Sequence, residues 1–189
     1  MSEQRINTKR DVPVPRLRMP AAAAFAALLA SLAIGVPSAY AGTASITCTG
    51  TETATYSPGL GLIARTVTLN VSAAFAPCIS TNPAIASGTA GTPPGGVPAR
   101  LGCVSLLSPA AGEAVIRWNN GTTSRYSFNR SSQTVAGQLI STATGRVIAG
   151  EFLGRSVLST LVSPAPNLLD CLSPGGLTKR TGTVTLAIL

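Results

Sequence analysis

Four cysteines, Cys48, Cys78, Cys103 and Cys171, and the four carboxylates beyond residue 41, Glu52, Glu113, Glu151 and Asp170, carry most of the chemistry this chain can offer. It contains no histidine. That excludes Ser-His-Asp and Cys-His nucleophile systems, histidine metal clusters and a histidine pH switch. A glycoside hydrolase needs two carboxyls roughly 5 to 9 Å apart with divided acid and base roles. Glu113, at the start of one expected strand, and Glu151, near the end of another, are the candidate pair, and exposed strand ends are the competing role for both. A Ser-Lys nucleophile has only Lys179 to draw on beyond residue 41, and no Ser-x-x-Lys surrounds it. The expectation is a protein without catalytic activity and without a cofactor.

The cysteines lack the paired Cys-x-x-Cys spacing of a zinc site, so no metal is expected. In an exported chain four cysteines read as two disulfides, for which three pairings are open. The preferred arrangement joins Cys78 to Cys103, pinning the base of a loop over residues 79–102, and Cys48 to Cys171. Candidate binding residues are Trp118, Tyr126 and Arg100. Trp118 is the single tryptophan; facing solvent beside Tyr126 it makes a small carbohydrate platform, and facing inward it is core. Arg100 would be the residue presented to a protease if the 79–102 loop were an inhibitor's.

The chain carries 14 basic and 6 acidic residues, a net charge of +8. Much of that excess belongs to the first 41 residues, which read as a secretory signal peptide. A basic polar start is followed by an apolar run from Met19 to Val36, then by Pro37 and Ser38-Ala39-Tyr40-Ala41, with cleavage expected between Ala41 and Gly42. An uncleaved anchor is the alternative, because a run of about 18 residues is near the lower limit for spanning a bilayer. Past residue 41 the basic residues are scattered arginines in which only Lys179 and Arg180 adjoin. Nucleic acid, which calls for a contiguous basic patch with aromatic platforms, is not an expected partner. A cell-wall polymer, a polysaccharide or an extracellular protein is, with no stable membrane insertion after cleavage and a secreted or cell-surface location.

The elements that would position these residues are strands. Residues 44–50, 52–57 and 66–75 are rich in Thr, Val and Ile, and Val67, Leu69, Val71 and Ala73 alternate with Thr66, Thr68, Asn70 and Ser72, the period of a half-buried strand. A turn is expected at Ser57-Pro58-Gly59, and an exposed loop over Thr81–Ala99, where Ser, Thr, Gly and Pro dominate. Around Asn119-Asn120-Gly121, a three-residue turn with Gly121 left-handed pairs Trp118 with Thr122 and gathers Trp118, Ile116, Tyr126 and Phe128 on one face. A two-residue turn would split them, so burial favours the longer one, at about 1.5 to 3 kcal/mol per large apolar side chain. Further strands are expected over 134–142, 146–152, 156–163 and 182–189, with one helical turn over Asn167–Leu172. Seven to nine short strands predict a single all-β domain over residues 42–189. It is expected as a disulfide-stapled antiparallel β-sandwich, immunoglobulin-like, with a small Greek-key barrel as the second choice.

Cys48-Thr49-Gly50, Tyr56-Ser57-Pro58-Gly59-Leu60, Trp118-Asn119-Asn120-Gly121 and Gly182-Thr183-Val184-Thr185 together resemble a group of small exported actinobacterial all-β proteins of unassigned function. The resemblance implies a bacterial envelope or extracellular setting, and no activity. The functional expectation is a secreted or cell-surface structural or adhesive binding module. A protease inhibitor presenting the 79–102 loop, and a carbohydrate-binding module or carbohydrate-active enzyme, are the alternatives.

Overall fold

Strict alternation of small polar and apolar residues gives this chain long strands, and their pairing closes on itself. The computed structural model describes residues 45–189, so the expected signal peptide and its Ala41-Gly42 processing site lie outside the described residues. The strands are β1 (Ile46–Leu60), β2 (Arg65–Ser80), β3 (Gly88–Gly91), β4 (Val97–Leu101), β5 (Ala110–Trp118), β6 (Thr123–Val135), β7 (Gln138–Gly150), β8 (Ser156–Pro164) and β9 (Leu177–Ile188). A 3-10 turn (Cys103–Leu106) follows β4, and a short helix α1 (Leu168–Leu172) follows β8. Asn167, the first residue of the expected helical turn, instead caps α1 by accepting the Leu169 amide at 3.0 Å.

All pairings are antiparallel, and they run β1-β9-β8-β7-β6-β5-β3-β2 and back to β1. The protein is therefore an eight-stranded closed barrel with an extra strand, β4. Hydrogen bonding passes through one ring, where an immunoglobulin-like sandwich has two separate sheets. Closure follows from strand length. β1 is long enough to pair with β2 on one side and β9 on the other over most of its course, leaving neither with a free edge there.

The ring has one seam. The first half of β2, Arg65 to Leu69, pairs with β4, whereas Ser72 to Phe75 pairs with β3. β3 in turn pairs with β5 only at Ile116 to Trp118. Residues 110–115 of β5 and the outer side of β4 therefore face each other without a ladder between them.

Inside the ring two apolar clusters occupy opposite ends. Ile46, Phe75, Ile116, Trp118, Phe152, Val157, Leu186 and Ile188 fill one, and Tyr56, Leu60, Val67, Leu106 and Leu139 the other, beside Cys103 and Cys171. Trp118 pairs with Thr122 through a three-residue turn with Gly121 at φ +85, as expected, and Ile116, Tyr126 and Phe128 share its inward face.

Several sequence expectations change. The two strands expected over 44–57 are one strand, and the turn falls after Leu60, not at Ser57-Pro58-Gly59. The Thr81–Ala99 loop contains β3 and β4, both laid on β2, and buries Ile85. A hairpin turn at Ala136-Gly137, both left-handed, breaks the strand expected over 134–142, and β7 runs on through Gly145. The disulfides are Cys48–Cys78 and Cys103–Cys171, neither of the preferred pairs. Cys48 and Cys78 sit directly opposite each other across β1 and β2, with Cα atoms 4.1 Å apart. Cys103 and Cys171 meet at the other end of the barrel, Cα to Cα 6.2 Å. With Cys78 committed to its strand neighbour, no disulfide pins the 79–102 segment.

Candidate functional site

The residues singled out from sequence do not form one site. Trp118 is only 3% exposed and spends its indole N–H on the Ser124 hydroxyl at 2.8 Å; that hydroxyl donates to the Glu151 carbonyl at 2.7 Å. Its ring packs edge-on to Phe152 at 5.8 Å. Tyr126 is also inside, tilted against Phe128 at 5.9 Å. Neither presents a face to a sugar ring. Arg100 is exposed on β4, opposite Thr66 of β2, away from both. Glu113 and Glu151 are not brought together. Glu113 lies opposite Ser127 and 4.0 Å from Arg125, whereas Glu151 binds the Thr123 carbonyl through its amide and accepts from Asn82 at 3.4 Å. Ser127 and Thr123 are four positions apart on β6, about 13 Å of strand, more than a carboxyl pair tolerates. All four cysteines are oxidised, leaving no thiolate for a metal.

Two other arrangements emerge. The first is the barrel end stapled by Cys103–Cys171. Three segments converge there: the turn of residues 61–64, the 3-10 turn and α1. The Cys103 amide donates to the Gly61 carbonyl at 2.8 Å, and a side chain on Gly102 would crowd the Ala64 backbone at 3.0 Å, so the first two segments lie against each other. The disulfide ties the third to them. Leu106 turns inward and seals the core. Leu62, Ile63, Val104, Leu107, Leu169 and Leu172 turn outward, Ile63 to 84% exposure. Apolar side chains gathered on one exposed end are the ordinary signature of an interaction surface.

Basic residues stand just behind this apolar end. Arg65 opens β2 and is anchored by its Nε to the Gly59 carbonyl at 3.2 Å, while Arg100 near the end of β4 and Lys179 near the start of β9 are exposed. Asp170 is the acidic residue on the same end. The sequence shows these arginines as scattered; the register of β2, β4 and β9 brings them to one end.

The second arrangement is a polar belt across the barrel interior, between the two apolar clusters. Strand alternation turns Glu52 and Tyr56 of β1, Tyr126 and Arg130 of β6 and Arg180 of β9 inward. Burial raises the Glu52 carboxyl above its ordinary range, and the opposing pull of Arg180 and Arg130 does not overcome it. Burial likewise raises the Tyr56 phenol against the nearby Arg180 guanidinium, and pushes Tyr126 up to about 12. Arg130 is lowered, first by burial and then by Arg180, with Glu52 and Tyr56 opposing. Sequence reasoning gave Arg130, Arg180 and Glu52 no position, taking the arginines as scattered and Glu52 as one of four carboxylates. The signal for them was parity: Arg180 shares its phase with Val184, Leu186 and Ile188, and Arg130 with Tyr126 and Phe128.

Compared with known proteins, the chain matches no family model, no curated protein and no solved structure.

Proposed function

We propose that this protein is an exported, non-enzymatic binding module of the bacterial cell envelope, and that it docks end-on to an anionic lipid surface. The observation that carries the reading is the stapled end, with six exposed apolar side chains in front and Arg65, Arg100 and Lys179 behind them. Apolar residues at a tip are suited to the boundary between headgroups and acyl chains, and basic residues set back from it to lipid phosphates, each worth about 1 kcal/mol near such a surface. Docking of this kind is peripheral. Among the described residues no helix is long and apolar enough to cross a membrane. The two disulfides are consistent with an oxidising, extracellular environment.

The test is co-sedimentation of the oxidised protein with anionic and with neutral vesicles, and with bacterial cell walls, over a salt series. Saturable binding to anionic vesicles that weakens with salt without vanishing supports the reading, and it should fall by about tenfold or more when Ile63 and Val104 both become Ser. Binding to cell walls alone, unaffected by those substitutions, overturns it.

One feature favours an extracellular protein as a second partner class. The outer side of β4 and residues 110–115 of β5 are unpaired edges facing one seam, an opening that an added strand fits. An inhibitor loop has less support, because residues 97–101 of the segment it would use are strand, and Arg100 lies within it.

A further inference from the structure

The polar belt inside the barrel contains more positive than negative charge, and although Arg180 lies against the Tyr56 hydroxyl and both arginines face Glu52, neither has all its donors satisfied. Among the described residues, neither Arg130 nor Arg180 forms an ion pair with a carboxylate, and the Nε of each is sealed from solvent with no hydrogen-bond partner. Arg180 is only 8% exposed. The hydroxyl of Ser163, buried on β8, is also unpartnered. An arginine removed from water without a counter-charge is costly, and two that repel each other are more so. Among the described residues Glu52 is the single carboxylate turned into this belt.

Residues beside the belt are small. Glu52 is flanked across the ladders by Ala73 and Gly182, Arg180 by Ala54, and Arg130 by Ala110 and Ala143. The cross-strand neighbours of the charged groups therefore carry no more than a methyl group. Ser163 borders the same belt, since a side chain on Gly182 would run into its Cβ at 2.8 Å. The two sides of the barrel differ in burial. Inward-facing residues beside the seam, Leu69, Val71, Ala114, Phe128 and Arg130, are only partly buried, whereas Leu139, Ser163 and Val184 on the far wall are fully buried.

From this we infer that the barrel interior is a binding site for a small oxyanion, a phosphate or a carboxylate, held between the Arg130 and Arg180 guanidinium groups with the Ser163 hydroxyl as a further donor. Guanidinium groups suit this ligand because their forked donors match the spacing of carboxylate or phosphate oxygens. The anion supplies the counter-charge that Glu52 alone does not. The charged and titratable groups facing it are Glu52 and Tyr56 from β1, Tyr126 and Arg130 from β6 and Arg180 from β9; β2, β5, β7 and β8 contribute Ala73, Ala114, Ser141 and Ser163, none of which titrates. Since Glu52 competes with the anion for the same guanidinium groups, protonating it strengthens binding. The site is independent of the end-on docking proposed above.

The experiment is a titration of the oxidised protein with inorganic phosphate and, separately, with acetate, at constant ionic strength maintained by chloride, following the arginine Nε–H resonances by NMR. Saturable movement of two such resonances is expected, and Arg130→Gln should weaken binding by about tenfold or more. Glu52→Gln should tighten it and remove the dependence of phosphate binding on pH in the acidic range, where phosphate stays a monoanion. Response to phosphate alone or to acetate alone assigns the site to tetrahedral or planar oxyanions and supports the inference either way. Resonances unmoved by both, or moved equally by chloride, overturn it. Arg180→Gln risks unfolding the barrel, so the half-buried Arg130 and the Glu52 variant carry the test.

Discussion

Glu52 sits inside the barrel with a carboxyl that burial holds above its ordinary range even though two arginines face it. The folded state therefore holds the Glu52 proton more tightly than the unfolded chain does. Between the unfolded and folded pKa the native protein binds more protons than the unfolded chain, so stability falls as pH rises through that window and the cost persists at neutral pH. Glu52→Gln should raise the urea midpoint at pH 7 and leave it unchanged at a pH below the unfolded carboxylate range; equal effects at both would show that Glu52 acts other than through its charge. Tyr126 gives the alkaline counterpart. With its phenol pushed up to about 12, the folded state resists an ionisation that the unfolded chain undergoes near 10, so stability declines as pH rises between the two. Trp118→Phe removes the indole donor and leaves Ser124 facing a gap, which should cost about 1 to 3 kcal/mol in denaturant unfolding followed by far-UV circular dichroism. Trp118's place in the core was legible because one turn geometry gathers four large side chains and the other divides them. Arg130 and Arg180 were not, because an arginine in a sequence reads as surface unless the phase of its strand is followed through it.

The strands are held in register by close approaches that leave no room for a side chain. A Cβ on Gly145 of β7 would lie 1.8 Å from the Ser127 carbonyl of β6. Gly145→Ala cannot be absorbed by moving a flexible group, and should cost more than about 3 kcal/mol or prevent folding. Gly88→Ala drives a methyl to 2.6 Å from the Trp118 ring and should lower stability by less, since the ring can shift. The disulfides act at different ranges. Cys48–Cys78 spans 30 residues within one strand pair, and Cys103–Cys171 spans 68 and joins two segments that no ladder connects. In the loop-entropy model the second is worth about 4 kcal/mol, and peptide mapping under non-reducing conditions should recover these two pairs and no others. Alternation and turn residues revealed most strands and the helical turn after Asn167. They missed the Ala136-Gly137 hairpin, because an alanine in a left-handed turn carries no compositional mark, and they hid β3 and β4, whose Gly, Pro and Thr residues are those of loops. The cysteine pairing depended on register, which spacing alone does not contain.

For the whole molecule, barrel closure is the property that separates inside from outside, and it arises from pairings between β1 and β9, elements at opposite ends of the described chain. An all-β antiparallel fold follows from local patterns, but the choice between a ring and two sheets is made by such distant pairings. Closure also decides where charge and apolar surface go. Arg130 and Arg180 are drawn inside, while Ile63, Val104 and Leu169, from three stretches far apart in sequence, come to one end. That convergence gathers the exposed apolar residues on one end, and if the end docks as proposed, reducing Cys103–Cys171 should weaken docking by loosening α1 from the other two segments. The most direct test is the comparison of the protein with its Ile63→Ser, Val104→Ser variant for binding to anionic vesicles at low and high salt. End-on docking predicts saturable binding by the unaltered protein that survives high salt, and binding by the variant that high salt abolishes. Identical salt curves for the two proteins, or no binding by either, would contradict it.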